Sequence, residues 1–344
     1  MPDYDFSLVD AAIIDTQHNT LRLLRDVLSR LGLKRVETYP SVREAAEPMG
    51  SATPDLILID VDGEEAEALR LFRSLRNEPG TRNPYACMVA TTWQPTPVLL
   101  MRVSNVGADD LLVKPVSPKQ VQDRLATMIE ARKRFVVTAD YTGPDRRKAP
   151  RDGTQVPLLD APNTLRLKAT NRWGHINTRQ LMADANLFVN EQKLLRATIQ
   201  IAFLVEFAVP GLSADPPERL AAEHLARVPG FLDDLLRRLA ERSDKAVEEA
   251  CRALKGLVEE LRTQGGGAAP AGELERLRGL ARDLMQAADP GRSLESMVAE
   301  VATAVAGYRS RLEQMAQTKA AATAAAPSKA AATAAAVPKA AAVP

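Results

Sequence analysis

Cysteine is almost missing from this chain. Only Cys87 and Cys251 occur, far apart and in no CxxC pair, which leaves a disulfide framework or a thiolate zinc site without support. Aromatic residues make up 4%, too few for the aromatic and β-branched strands of a sandwich, whereas the abundant alanine suits helices. An excess of one charge is lacking too. The 45 Lys and Arg meet 44 Asp and Glu, a formal net charge of +1, so bulk charge implies no polyelectrolyte partner. The most apolar stretch, residues 199–209, carries Gln200 and Glu206 and is too short to span a bilayer. The opening Met1-Pro2-Asp3-Tyr4-Asp5 has no basic segment followed by an apolar run. The expectation is a cytoplasmic protein with no membrane contact.

What is present is alternation. Short apolar runs at Ala11–Ile14, Arg35–Tyr39, Leu56–Ile59, Cys87–Thr91 and Leu111–Val113 read as strands buried on both faces. Amphipathic stretches lie between them, such as Leu21-Leu24-Leu28-Leu31 ending at Gly32, Ala68-Leu71-Leu75, and Val121-Leu125-Met128-Ile129. Five strands alternating with five helices predict a doubly wound α/β fold with a five-stranded parallel sheet. Ligands of such folds bind beyond the carboxyl ends of the strands. Asp15 follows the first strand and Asp60 the third; Thr91 and Thr92 end the fourth; Lys114-Pro115 follows the fifth. Converging carboxylates repel and favour a hard divalent cation such as Mg²⁺. A carboxylate can also attack a phosphoryl group to give an acyl phosphate. Lys114 and a threonine hydroxyl can then serve the phosphate oxygens.

This set resembles the receiver domain of two-component response regulators, the CheY-like, flavodoxin-like fold. The resemblance covers about residues 7–132. It rests on Asp15, the apolar run Leu56-Ile57-Leu58-Ile59 into Asp60, and Gly107-Ala108-Asp109-Asp110-Leu111-Leu112-Val113-Lys114-Pro115. It implies that Asp60 is the phosphoacceptor, Lys114 the phosphate-contacting lysine and Thr91 the switch hydroxyl. It also implies a Mg²⁺ site of Asp15, Asp60 and a backbone carbonyl at Asp62. Three departures stand out. Thr16 occupies the position of the second metal-binding acid, which weakens the expected Mg²⁺ affinity. Val61-Asp62-Gly63-Glu64 replaces the usual Met-Pro-x-x-Asp-Gly. Leu111 takes the place of the aromatic switch residue.

Beyond residue 132 the pattern changes. Residues 133–175 read as a basic, flexible linker; from 131 to 175 ten Arg and Lys face four Asp and Glu, an excess of six. Residues 176–317 read as helical. One helix runs from Arg179 to Ala208 and stops at Pro210-Gly211. A short one follows Asp215-Pro216-Pro217 to Val228. A long one carries Leu232 to Leu261 and ends at Gly265-Gly266-Gly267, and a shorter one spans Leu274–Leu284. Leu294, Met297, Val301, Val305, Tyr308, Leu312 and Met315 form an a/d-type seam of a bundle or coiled coil, a candidate for self-association across 294–315. Arg252-Ala253-Leu254-Lys255-Gly256 follows the His-x-Leu-Lys-Gly pattern of histidine phosphotransfer helices with arginine in place of the reactive histidine, and is taken as coincidence. Residues 318–344, with lysine every ten residues among Ala, Thr and Pro, read as a low-complexity disordered tail.

The reading is a bacterial phosphorelay response regulator, not an enzyme. Asp60 is expected to take its phosphoryl group from a histidine kinase or phosphotransfer protein, and the helical region to act on a downstream protein. No helix-turn-helix with a basic recognition helix is found, so specific DNA binding is not expected. The alternative is a degenerate receiver that serves as a phosphate-independent interaction scaffold.

Overall fold

The computed structural model describes residues 4–78, 80–147, 157–239, 244–263 and 268–325, the last seven of them by backbone alone. Its first unit alternates strand and helix: β1 (Asp10–Ile14), α1 (His18–Arg30), β2 (Arg35–Tyr39), α2 (Val42–Ser51), β3 (Leu56–Asp60), α3 (Glu65–Asn77), β4 (Cys87–Thr92), α4 (Pro97–Asn105), β5 (Asp110–Val113) and α5 (Pro118–Glu130). The sheet is parallel throughout, with order β2-β1-β3-β4-β5. Alternate side chains go to opposite faces. Ala11, Ile13, Leu56, Leu58, Cys87 and Val89 join the layer of α1 and α5. Ala12, Ile14, Ile57, Ile59, Met88 and Ala90 join the layer of α2, α3 and α4. Both faces are covered, which is why these strands are apolar without alternation. Local chemistry starts the helices. Ser41 and Thr96 cap α2 and α4, and Ser117 with Gln120 forms a capping box ahead of Pro118 on α5.

Residues 133–175 differ from the expected linker. They contain β6 (Phe135–Val137), β7 (Thr142–Pro144), β8 (Leu158–Leu159), α6 (Thr164–Ala169) and one 3₁₀ turn, Trp173–His175. The three strands form an antiparallel sheet in the order β7-β6-β8; residues 148–156 lie outside the described part. The basic excess is not all solvated, because several of its charges meet carboxylates of the first unit. Lys168 bonds Asp10 at 2.7 Å and Asp55 at 2.8 Å. Asp109, with a side chain 4% exposed, accepts Arg76 Nη2 at 2.7 Å and Arg132 Nε at 2.8 Å, and the Met88 amide at 2.8 Å. Phe135 lies between the two guanidiniums, 5.0 Å from Arg76 and 4.9 Å from Arg132. Gly107 (φ 87°) makes a further contact possible: a Cβ there would sit 2.5 Å from the Thr142 carbonyl oxygen. The α4–β5 turn therefore lies directly against β7.

The rest is helical: α7 (Thr178–Leu212), α8 (Arg219–Leu225), α9 (Val228–Leu239), α10 (Lys245–Thr263), α11 (Ala271–Ala288) and α12 (Leu294–Ala325). Four boundaries depart from the expected ones. α7 continues through Pro210, because in a last turn proline forgoes a single backbone bond. Gly211 there leaves room for Ala221 and Glu218 of the following segment. The short helix starts at Arg219 rather than at Pro216. The expected Leu232–Leu261 helix is two helices, α9 and α10, around residues 240–243, which lie outside the described part, as do Gly265, Gly266 and Gly267. α12 runs on to Ala325, into the segment expected to be disordered; residues 326–344 lie outside the described part. Ile201, Leu204, Val205, Leu232, Leu254, Leu277, Met297 and Val301 share one core. The seam of α12 divides: Met297, Val301 and Val305 are buried, while Met315 is 69% exposed. By length and composition α7 could cross a membrane, but more than half of its apolar window is buried inside the bundle.

Asp109 is held well below the usual carboxylate range: burial works against ionisation, and Arg132 and Arg76 outweigh it. A depressed folded-state pKa contributes stability that is full above about pH 4 and lost as pH falls through the folded value. Asp109→Asn leaves two buried guanidiniums without their anion and should cost about 3–5 kcal/mol at pH 7, with the difference from wild type shrinking in acid. Urea unfolding at pH 7 and at low pH checks both.

Candidate functional site

The carboxyl ends of β1, β3, β4 and β5 meet at one edge. Each strand carries its polar residue there because an apolar run precedes it, buried throughout in β1, β3 and β4 and at Leu112 in β5, and the chain then turns back into a helix. Asp15, Asp60, Thr91, Thr92 and Lys114 are all buried. Lys114 Nζ is the hub: it lies 2.5 Å from Asp60 Oδ1, 3.2 Å from Asp15 Oδ2 and 3.2 Å from Asp62 Oδ2. Three carboxylates thus face one ammonium. The Trp93 ring covers the amine at 5.5 Å and remains partly exposed at the rim.

The carboxylates are held in different ways. Asp15 Oδ1 accepts the Gln17 amide at 2.8 Å, at the start of α1. Asp60 accepts the amides of Asp62 at 3.3 Å and Gly63 at 3.4 Å, so the loop after β3 folds around it. Asp62 turns towards β4, where Thr92 Oγ1 donates to it at 2.5 Å and the Trp93 amide at 2.8 Å. Burial raises the Asp60 pKa; the Lys114 hydrogen bond opposes this, and the neighbouring Asp15 adds to the rise. For Asp62 burial is outweighed by donation from Thr92, Trp93 and Lys114, and its carboxyl lies below the usual range. Lys114 is raised, because Asp60 and Asp15 more than offset its burial.

Every residue expected at the site is at this edge. Thr91 is paired in register with Asp60, and its carbonyl accepts the Val61 amide at 3.0 Å. The hydroxyl tied to the acidic loop, however, is that of Thr92, on the opposite face of β4. Two consecutive threonines hid this division of labour, since alternation alone tells that they face apart but not which one meets Asp62. The role of Asp62 as a side-chain anchor for β4 was also not legible. Thr16 is exposed, and a Cβ on Gly63 would lie 2.9 Å from its hydroxyl, so the position that lacks a second acid abuts the loop after Asp60. His18 is exposed in the first turn of α1.

The donors available to a cation are all oxygens: the carboxylates of Asp15 and Asp60 and main-chain carbonyls of the loop after β3. That set suits a hard ion of the Mg²⁺ type. Among the described residues no group of three or more His, Cys, Asp or Glu side chains is arranged as a ready-made metal site, and Lys114 holds the space between the acids.

Residues 11–126 match the response regulator receiver domain family. The protein named Probable chemotaxis protein CheY of Rhizobium etli is 22% identical over 125 residues, which cover 36% of this chain and 95% of that protein. Response regulator PleD of Caulobacter vibrioides is 26% identical over 115 residues, covering 33% of this chain and 24% of PleD. A response regulator structure from Thermotoga maritima, 22% identical, aligns over 35% of this chain and 97% of that one with a TM-score of 0.31. This chain carries a receiver domain, followed by a helical region.

A raised folded-state pKa means that ionised Asp60 costs stability as pH rises through that value. Asp60→Asn should therefore be as stable as wild type or more stable at pH 7 without divalent cations, and the gain should shrink on acidification as the wild-type carboxyl takes up its proton. Chemical unfolding at the two pH values tests this; a clear loss at pH 7 would contradict the burial argument.

Proposed function

We propose that the chain, through its receiver domain, acts as a phosphorelay response regulator that accepts a phosphoryl group on Asp60 and signals through its helical region. The observation that carries this reading is the single amine of Lys114 set among Asp15, Asp60 and Asp62 at the carboxyl edge of the sheet. The donor would be a phosphohistidine of a histidine kinase or phosphotransfer protein. Asp60 Oδ attacks phosphorus, the phosphorus–nitrogen bond breaks as the phosphorus–oxygen bond forms, and the imidazole leaves with the electron pair and takes up a proton. Asp60 gives up one negative oxygen and gains a dianionic group. Lys114 follows that charge and remains its counter-ion. Thr91, in register with Asp60, supplies a hydroxyl; Thr92 stays with Asp62 and keeps the loop in place. Asp15, Asp60 and the main-chain carbonyl of Asp62 would hold Mg²⁺, which when bound offsets charge on the transferring phosphoryl group.

A second reading is favoured by one feature. Thr16 supplies no carboxylate where a second acid would strengthen cation binding, which fits a receiver that docks partners without being phosphorylated. Mg²⁺-dependent binding of beryllofluoride, a phosphoryl mimic, separates the two. The chain has two tryptophans, so Trp173→Phe leaves Trp93 as the sole reporter beside Lys114. Saturable quenching or enhancement with Mg²⁺, absent in Asp60→Ala, supports phosphorylation. No response at millimolar Mg²⁺, together with no mass gain from acetyl phosphate, leaves the scaffold reading. Thr16→Asp restores an acid at the rim and should tighten Mg²⁺ by about tenfold or more, since affinity follows ligand charge count; titration of Trp93 emission measures it.

A further inference from the structure

A second polar site lies far from the Asp60 edge, where the receiver domain meets the helices. It is a cleft of about 400 Å³ bounded by the end of α3, the β6–β7 turn, α7 and the start of α9. That volume is in the range of small-molecule sites. At its base is Lys193 of α7, 1% exposed. Its amine donates to Asn77 Oδ1 at 2.8 Å and, weakly, to the Thr138 carbonyl at 3.4 Å. Both acceptors are neutral, an ammonium has three protons to place, and no carboxylate of the described residues forms an ion pair with it. A buried charge without a counter-ion is costly and is normally retained only with a partner.

The walls add to this. Arg73 and Arg227 line the cleft, and neither forms an ion pair with a described residue. Arg238 is committed to Asp234 at 2.8 Å, and Glu78 to Arg237 at 2.8 Å. Asp140 is the one acid of the cleft outside an ion pair; it accepts the Thr138 hydroxyl at 3.1 Å. Gly230 and Phe231, in the first turn of α9, also line the cleft. Gly230 stands in the first turn of α9, before intrahelical bonding begins, and the N–H groups of a helix start favour an anion.

We propose that this cleft binds a small oxyanion of the phosphate type, free or carried by a metabolite, with Lys193, Arg73, Arg227 and the start of α9 as its donors. The occupant would supply the counter-ion that Lys193 lacks and would bridge α3 and the β6–β7 turn to α7 and α9. It would thus bear on how firmly the receiver domain holds the helices, separately from events at Asp60.

The amine titrates in a useful range. Burial lowers it to about 7, Arg238 and Arg73 add to the lowering, and Asp234 and Asp140 oppose it. An anion selects the protonated amine, so binding above that value must bring a proton with it. Sulfate, doubly charged throughout the range, should bind the full-length chain about tenfold more weakly at pH 8 than at pH 6 at constant ionic strength. Isothermal titration reads the affinity and, in buffers of different ionisation heat, the proton uptake. Lys193→Met should abolish binding and the pH dependence. Arg73→Gln with Arg227→Gln, both at exposed positions, should weaken binding at least tenfold with the fold intact. Equal affinity for inorganic phosphate and glycerol 3-phosphate would identify the free ion as sufficient; tighter binding of the ester would identify a carried phosphate. No saturable binding of sulfate or phosphate at 10 mM, or binding that ignores both pH and Lys193→Met, overturns the proposal.

Discussion

The buried group formed by Asp109, Arg76 and Arg132 is the constraint on which the relation between the two halves depends. Its members come from the entrance to β5, the end of α3 and the second residue past α5, and the Met88 amide brings in β4. A carboxylate and two guanidiniums out of water are expensive to desolvate, so the arrangement survives only because nearly every donor is used. Arg76 also donates to the carbonyls of Gly107, Pro84 and Ala86, and Arg132 to those of Tyr85, Ala86 and Pro162. Those bonds fix the path of the chain leaving α5. Phe135 packs against both guanidinium faces, which ties β6 to this group. Once β6 is placed, β7 and β8 pair with it, and Tyr85, Phe135, Val137, Ala185 and Val189 form the small core through which α7 is seated.

A consequence is a polar division of the sheet. Asp10, Asp55 and Asp109 precede or begin β1, β3 and β5, and they receive Lys168, Arg76 and Arg132 from the side where the later chain is attached. Asp15, Asp60 and Lys114 stand at the other ends of the same strands and are left to solvent-side chemistry. Any influence of Asp60 on the helical region has to cross the domain. The physical routes are α3, which begins just after the Asp60 loop and ends at Asn77 against Arg238 and Lys193, and the α4–β5 turn, whose Gly107 lies against Thr142. Coupling of this kind needs an element with two arrangements that both ends bias. α3 touches both ends and is the element so placed.

The receiver half was legible because its signals are local. Strands buried on both faces are continuous apolar runs, and each of the five was placed to within a residue of its observed limits. Asp15, Asp60 and Lys114 followed from the rule that strand ends carry the chemistry. What failed rests on long-range pairing. Nothing near Arg132 or Lys168 in sequence announces Asp109 or Asp55, so a stretch rich in Arg, Gly and Pro looked like a solvated linker. The sequence also hid that α9 and α10 are two helices: Asp244, whose side chain accepts the Val247 amide at the start of α10, is one polar residue in a continuing amphipathic pattern, and periodicity does not tell one long helix from two. Pro210 and Gly211 looked like a stop because local propensity favours one; the contacts of Gly211 with Ala221 and Glu218 override it. Lys193 was invisible for the same reason as Asp109: a lysine in an amphipathic helix gives no hint that its face will be covered.

Lys114 shows how the Asp60 site balances order against use. With three carboxylates and one ammonium, the edge is short of positive charge, and the amine takes a compromise position among all three acids. A divalent cation entering between Asp15 and Asp60 must compete with that amine and push it towards Asp62 and Trp93. A second acid at position 16 would have given the cation an advantage that Lys114 does not share, since the amine has no further donor to spare there. With Thr16 in place, the balance shifts towards the lysine. If the domain binds a cation as proposed, its affinity would be set less by the acids it has than by how readily Lys114 yields them, and the hold of Thr92 on Asp62 would belong to that same equilibrium.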